Sequence, residues 1–190
     1  MKNIFIHMPA KLIAIIATSL TNKLVQTIVS SWFIALCSHI TIPFYPVPMT
    51  LQTFAIALIS LLAPVEVAIG SVLFYVGYAV AGIPFLGGGA KGIAVLLGPT
   101  AGYIMGFFVM SATISLLMKC YPTSGIFKRL LFTFLGGGVL FLLGMTHLAR
   151  LFNWGVAVKA GLLPFVFSEP VKYALAAYLS VFLQGKYLKK

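Results

Sequence analysis

Residues 99–118 read PTAGYIMGFFVMSATISLLM, twenty consecutive positions without a charged side chain. A helix needs about 20 apolar residues to cross the roughly 30 Å hydrocarbon core of a bilayer. This stretch has that length, and Gly98–Pro99 and Lys119 bound it. The same character runs through the whole chain of 190 residues, 61% hydrophobic and 8% charged. Soluble domains average roughly 45–50% apolar and 25% charged. So few charges cannot clothe a soluble surface, which excludes a soluble enzyme, a disordered segment and a nucleic-acid module. The expected fold is all-α, a polytopic membrane protein.

Breakers divide the rest of the chain. A run at 24–40 stops at 41–48, TIPFYPVP, where three prolines in six residues forbid a helix. Further runs are expected at 50–63, 65–82, 130–151 and 163–183, making a six-helix bundle with both termini on one side. The run at 50–63 is short, so it is expected to be tilted or buried among its neighbours. Residues 83–99 form a Gly-rich connection.

Net charge is +11, from 13 Lys/Arg against Glu66 and Glu169. Nine basic residues (Lys2, Lys11, Lys23, Lys119, Lys128, Arg129, Lys186, Lys189, Lys190) fall on the side of the termini, against Lys91, Arg150 and Lys159 opposite. Basic residues collect in cytoplasmic loops, so both termini are expected in the cytoplasm of a multi-pass plasma (inner) membrane protein. The Pro-rich and Gly-rich loops and the start of the last span then face outward. Residues 1–20 have the basic start and apolar run of a signal peptide, but a short core and no Ala-x-Ala after it. Residues 1–23 are therefore read as a cytoplasmic or interfacial extension, and 24–190 as the membrane domain.

Residues 167–176, FSEPVKYALA, hold the strongest chemical signal. Glu169 and Lys172 are opposite charges at membrane depth, where a charge costs roughly 2.5–3.5 kcal/mol on insertion scales. Three positions apart, they share a helix face. Pro170 suits a first helical turn, with Glu169 near the positive end of the dipole. Such a pair either forms a midplane site, as in transporters, or joins helices as a structural ion pair. In residues 86–93, LGGGAKGI, Ala90 precedes Lys91 and Gly92 follows it. A nucleotide-binding loop needs Gly-Lys-Ser/Thr, so that reading is rejected. Lys91 remains as a loop cation, solvated or at a site. Thr50, Gln52 and Thr53 either bond a ligand or cap the second helix. Glu66 fits the dipole at the start of the third.

Gly98, Gly102 and Gly106, with Tyr103 beside them, have the small-residue spacing of close helix packing, and Gly136, Gly137 and Gly138 read alike. Trp32, Phe44, Tyr45 and Trp154 suit an interfacial belt or a pocket wall. Cys37 and Cys120, and His7, His39 and His147, show no metal or redox spacing. No Ser/His/Asp set accompanies the two acids, which argues against an enzyme. No span repeats polar residues along one face, which argues against a channel. A bundle with one polar pocket, binding or carrying a small, partly apolar molecule, is left.

Four stretches in this order, PVPMTLQTF (46–54), GIPFLGGGAKG (82–92), LLGPTAGYIMGF (96–107) and LLPFVFSEPVKYALA (162–176), resemble the BioY family. Those proteins are biotin-specific substrate-binding (S) components of energy-coupling-factor (ECF) transporters. The resemblance implies a six-helix membrane bundle embedded in lipid, with high-affinity biotin binding near the outer face. It also implies no cofactor and no metal, biotin being the transported substrate. The partners implied are a transmembrane coupling subunit and two cytoplasmic ATPases, whose cycle topples the S component in the membrane. The family places an Asp and, three residues on, a Lys in its last span; here they are Glu169 and Lys172. By resemblance Glu169 accepts from the ureido N–H groups, Lys172 donates to a biotin acceptor and Lys91 meets the carboxylate. Thr50, Gln52 and Tyr103 complete the polar contacts, and Phe44 or Tyr75 packs on the apolar ring. In place of the family's Ala-x-x-x-Ala contact on the first helix stands Ser31/Ala35. The alternatives are an S component for another vitamin, or a non-transporting membrane protein whose Glu169–Lys172 pair is structural.

Overall fold

A computed structural model describes residues 22–187. The expectations for residues 1–21 and for the basic tail at 188–190 lie outside the described residues. Among the described residues the chain forms seven α-helices and one short hairpin. Helix α1 (Lys23–His39) starts where the Asn22 side chain accepts from the Leu24 N–H at 2.9 Å. The Pro-rich stretch that follows folds into antiparallel β1 (Thr41–Ile42) and β2 (Met49–Thr50), pairing Thr41 with Thr50 and Ile42 with Met49. Helix α2 (Gln52–Leu62) is buried at ten of its 11 positions. At 1.5 Å per residue it is about 16 Å long, too short to span alone, and it lies inside the bundle as its length suggests.

Helix α3 (Val65–Val80) follows Pro64 and carries Glu66 in its first turn, paired with Lys23 at 3.6 Å. Helices α4 (Ala101–Cys120) and α5 (Ile126–Leu151) are each long and apolar enough to cross a membrane. They lie close because Gly102 and Gly106 face α5. A Cβ on Gly102 would stand 2.7 Å from the Leu143 carbonyl, and one on Gly106 3.0 Å from the Leu140 backbone. Gly136 packs on Ile114 and Gly144 on the Tyr103 ring, whereas Gly138 meets nothing.

Helix α6 (Trp154–Gly161), a 3₁₀ turn at Leu163–Phe165 and α7 (Ser168–Tyr187) complete the fold. Leu36, Leu73, Leu116, Phe127, Leu142 and Phe182 are exposed around the bundle, a surface suited to lipid rather than water. Inside, Ser60, Ser71 and Ser115 bond back to carbonyls one turn earlier, so hydroxyls within the bundle need no distant partner.

Two sequence expectations need correction. The last span is not one run from 163: α6 and α7 form a pair bent by 43°. Asn153 caps α6 by accepting from the Val156 N–H at 2.9 Å, and Pro164 lies in the 3₁₀ turn just before the break. The fifth helix starts at Ile126, so Lys128 and Arg129 are helical rather than in a loop. Arg129 is 3% exposed, donating to the Ser124 carbonyl (2.9 Å), Ser180 Oγ (3.0 Å) and Gln184 Oε1. It ties α5 to α7. Lys23, at the start of α1, and Gln184, near the end of α7, line one cleft with residues of the α2–α3 and α4–α5 connections. The hairpin and the Gly-rich loop gather elsewhere, around a cavity.

Candidate binding site

That cavity holds about 200 Å³ and draws on four of the seven helices, the hairpin, the Gly-rich loop and the 3₁₀ turn. Val47, Pro48 and Thr50 come from the hairpin, and Gln52 and Thr53 from α2. Leu86, Gly87 and Ala90 come from the Gly-rich loop, Tyr103 and Phe107 from α4, and Leu140 and Phe141 from α5. Phe165 and Glu169 close it. The loop is folded. Gly88 and Gly92 take φ of +70° and +80°, a region that favours glycine, and the Gly92 N–H donates to the Ala79 carbonyl at 2.7 Å. Phe85 anchors it, edge-on to Trp32 and Tyr78, with its carbonyl accepting from Ser38 Oγ. Gly87 brings the loop against β2, where a Cβ would fall 2.6 Å from Thr50 Cγ2.

Glu169 and Lys172 are 4% and 8% exposed and sit in the first turns of α7. The Lys172 ammonium donates to Glu169 Oε1 at 2.6 Å, to the Thr50 carbonyl at 2.7 Å and to Thr53 Oγ1 at 3.5 Å. All three ammonium hydrogens are engaged, the last weakly. The pair therefore joins α7 to the hairpin and α2. Glu169 Oε2 has no partner among the described residues, although Glu169 borders the cavity. An unpaired buried carboxylate oxygen in a mostly apolar wall is an acceptor available to an N–H donor.

Thr50 Oγ1 donates to Gln52 Oε1 at 2.8 Å, and Gln52 Nε2 donates to the Tyr75 hydroxyl. The Tyr103 hydroxyl donates to the Gly161 carbonyl at 2.8 Å, while its ring packs over Gly144. An acid–lysine couple behind an aromatic cavity at the loop end of a membrane bundle calls for comparison with known proteins. A model of the BioY family matches residues 8–188.

The chain belongs to the BioY family.

It is 35% identical over 157 residues to the biotin transporter BioY2 of Lactococcus lactis, covering 79% of this chain and 83% of that protein. It is 36% identical over 157 residues to the probable biotin transporter BioY of Pyrococcus horikoshii, covering 80% and 92%. Its fold is that of the crystal structure of an S-component for biotin from an ECF-type ABC transporter. The TM-score is 0.78 at 23% identity, over 88% of this chain and 93% of that one. This BioY chain is an all-α, multi-pass membrane protein.

Of the residues singled out in the sequence, the structure brings Thr50, Gln52, Tyr103 and Glu169 to the cavity wall, with Lys172 directly behind Glu169. Tyr75 is fully buried behind Gln52 and does not line the cavity. Phe44 is exposed at the hairpin turn, away from the lining, and Lys91 is exposed one residue after the lining Ala90. The aromatic wall is made by Phe107, Phe141 and Phe165, which sequence reasoning missed. With 16 phenylalanines in the chain, nothing in local pattern separates the cavity-facing ones from the lipid-facing ones.

Proposed function

We propose that this chain binds biotin in the cavity beside Glu169, with high affinity, and is the substrate-binding membrane subunit of an ECF-type uptake transporter. It is a transporter subunit, not an enzyme. The observation that carries the reading is Glu169, a buried acid whose Oε2 is unpaired among the described residues, in the lining of an otherwise largely apolar cavity. Biotin has the complementary chemistry: ureido N–H donors, an apolar thiophane ring and a chain ending in a carboxylate. Membership of the BioY family and relatives named as biotin transporters support the same ligand.

Glu169 accepts from the ureido N–H groups, held in place by Lys172. The weakest Lys172 bond, to Thr53, is the one a ligand acceptor replaces. Thr50 and Gln52 supply the remaining polar contacts, Tyr75 fixing the Gln52 amide. Phe141, Phe165 and the Tyr103 ring pack on the thiophane. Lys91 attracts the carboxylate at the mouth. The chain faces its cavity outward and keeps its termini in the cytoplasm, by the charge bias of its loops. A transmembrane coupling subunit and two cytoplasmic ATPases supply the energy.

Titration calorimetry of the purified full-length protein in detergent, with other vitamins as competitors, tests the assignment. Tight binding that only biotin saturates is expected. Displacement by a different vitamin would reassign the substrate, and no binding by a folded protein would overturn the reading.

A further inference from the structure

Tyr173 enters none of the roles above, yet it is 3% exposed and its hydroxyl has no hydrogen-bond partner among the described residues. The Glu169 Oε2 atom is in the same condition. The two residues stand four apart on α7, which places them on one face, one turn from each other. Long helical side chains lean towards the N-terminus, so the Tyr173 ring covers the turn that carries Glu169.

The ring's position is set from α5. Phe134 meets it edge-on with centroids 5.5 Å apart. Gly137 provides the notch that receives its tip: a Cβ there would strike the hydroxyl and the adjoining ring carbons. One orphaned group is a donor and the other an acceptor with spare lone pairs. Each is penalised while unmatched, and one bond between them removes both penalties.

We propose that Tyr173 is a positioning residue for Glu169, its hydroxyl donating to Oε2 after a small rotation of the carboxylate. With Lys172 on Oε1 and Tyr173 on Oε2, both oxygens are tethered and the carboxylate plane is fixed. One lone pair on each oxygen then remains for the N–H donors of a bound ligand. A fixed plane favours a ligand whose N–H groups lie on one edge of a rigid ring over one with a single or rotatable donor. This inference rests on the reading of Glu169 as the ligand's acceptor; Tyr173 itself does not line the cavity.

The test is a double-mutant cycle of Tyr173→Phe and Glu169→Ala in the full-length protein, read by biotin affinity and by the midpoint of thermal unfolding without biotin. Tyr173→Phe alone is expected to weaken biotin about tenfold and to lower the midpoint. In the Glu169→Ala background it should leave the midpoint unchanged or raise it, because the hydroxyl then has no acceptor to lose. Equal losses of midpoint in both backgrounds would mean that Tyr173 only packs, and would overturn the proposal. So would a coupled midpoint with biotin affinity untouched. If the parent protein binds no biotin, the functional reading fails, while the midpoints still report whether the bond exists.

Discussion

Lys172 holds three acceptors from three segments of the fold, Glu169 Oε1, the Thr50 carbonyl and Thr53 Oγ1. Removing one partner of a buried ion pair strands the other charge, at a cost of about 3–5 kcal/mol. Lys172→Ala is therefore expected to lower the unfolding midpoint and to weaken biotin at least about 100-fold; a folded variant of unchanged affinity would refute its place behind the site. Glu169→Asp shortens the acid by one methylene while keeping its charge. It is expected to retain binding with affinity reduced by about tenfold, measured by the same titration, whereas full loss would make the reach of the side chain decisive. The importance of this couple was legible in the sequence, because charges are costly to insert within an apolar run and persist where they pair or meet a ligand. That Lys172 stands behind the acid rather than in the wall was not, since Thr50 is 122 residues away.

At the scale of elements, the packed helices α4 and α5 together supply Tyr103, Phe107, Leu140 and Phe141 to the cavity lining, with the Tyr103 and Phe141 rings edge-on at 6.0 Å. Gly102→Ala would press on the Leu143 carbonyl and on His147, and overpacking of this kind costs about 1–3 kcal/mol. The variant is expected to unfold at lower temperature and bind biotin more weakly. Gly138→Ala, where a Cβ meets nothing, should match or exceed the parent in the same unfolding assay. The Gly-x-x-x-Gly spacing announced the close approach; only the packed helices tell Gly136 and Gly137 from Gly138. Arg129 is the opposite case, a basic residue that loop composition assigns to solvent and tertiary packing buries. Arg129→Leu leaves the Ser124 carbonyl, Ser180 and Gln184 without their donor, each a loss of about 1–3 kcal/mol if it stays buried and unpaired. A lower unfolding midpoint with biotin affinity within about twofold of the parent is expected.

At the scale of the molecule, the proposed topology puts the cavity mouth outside the cell on the strength of the loop-charge bias, and accessibility tests it. Lys91 and Cys120 are both exposed, and the proposed topology assigns them to opposite sides. In whole cells, Lys91→Cys is expected to react with a membrane-impermeant thiol reagent, while Cys120 reacts only after permeabilisation. The reverse pattern would invert the protein in the membrane. Five of the six expected apolar runs correspond to helices α1 to α5, to within a few residues at their ends. The departure is the last one, where a capped short helix and a bend precede α7.

Composition and breakers by themselves determined the all-α membrane class, because an apolar run must satisfy its own backbone in lipid and a helix does so within one segment. Chemistry legible along the chain was of the same local kind: a charge where none is expected, a glycine spacing, a proline at a helix start. The cavity's contents were decided only by the tertiary structure. Its wall takes one or a few residues from each of the hairpin, α2, the Gly-rich loop, α4, α5, the 3₁₀ turn and α7. In a chain whose surface faces lipid, inward and outward side chains are both apolar, so hydropathy cannot tell which phenylalanine meets a ligand. Packing decides that, and with it the burial of Arg129, the retreat of Lys172 behind Glu169 and the placement of Tyr173 in the notch at Gly137.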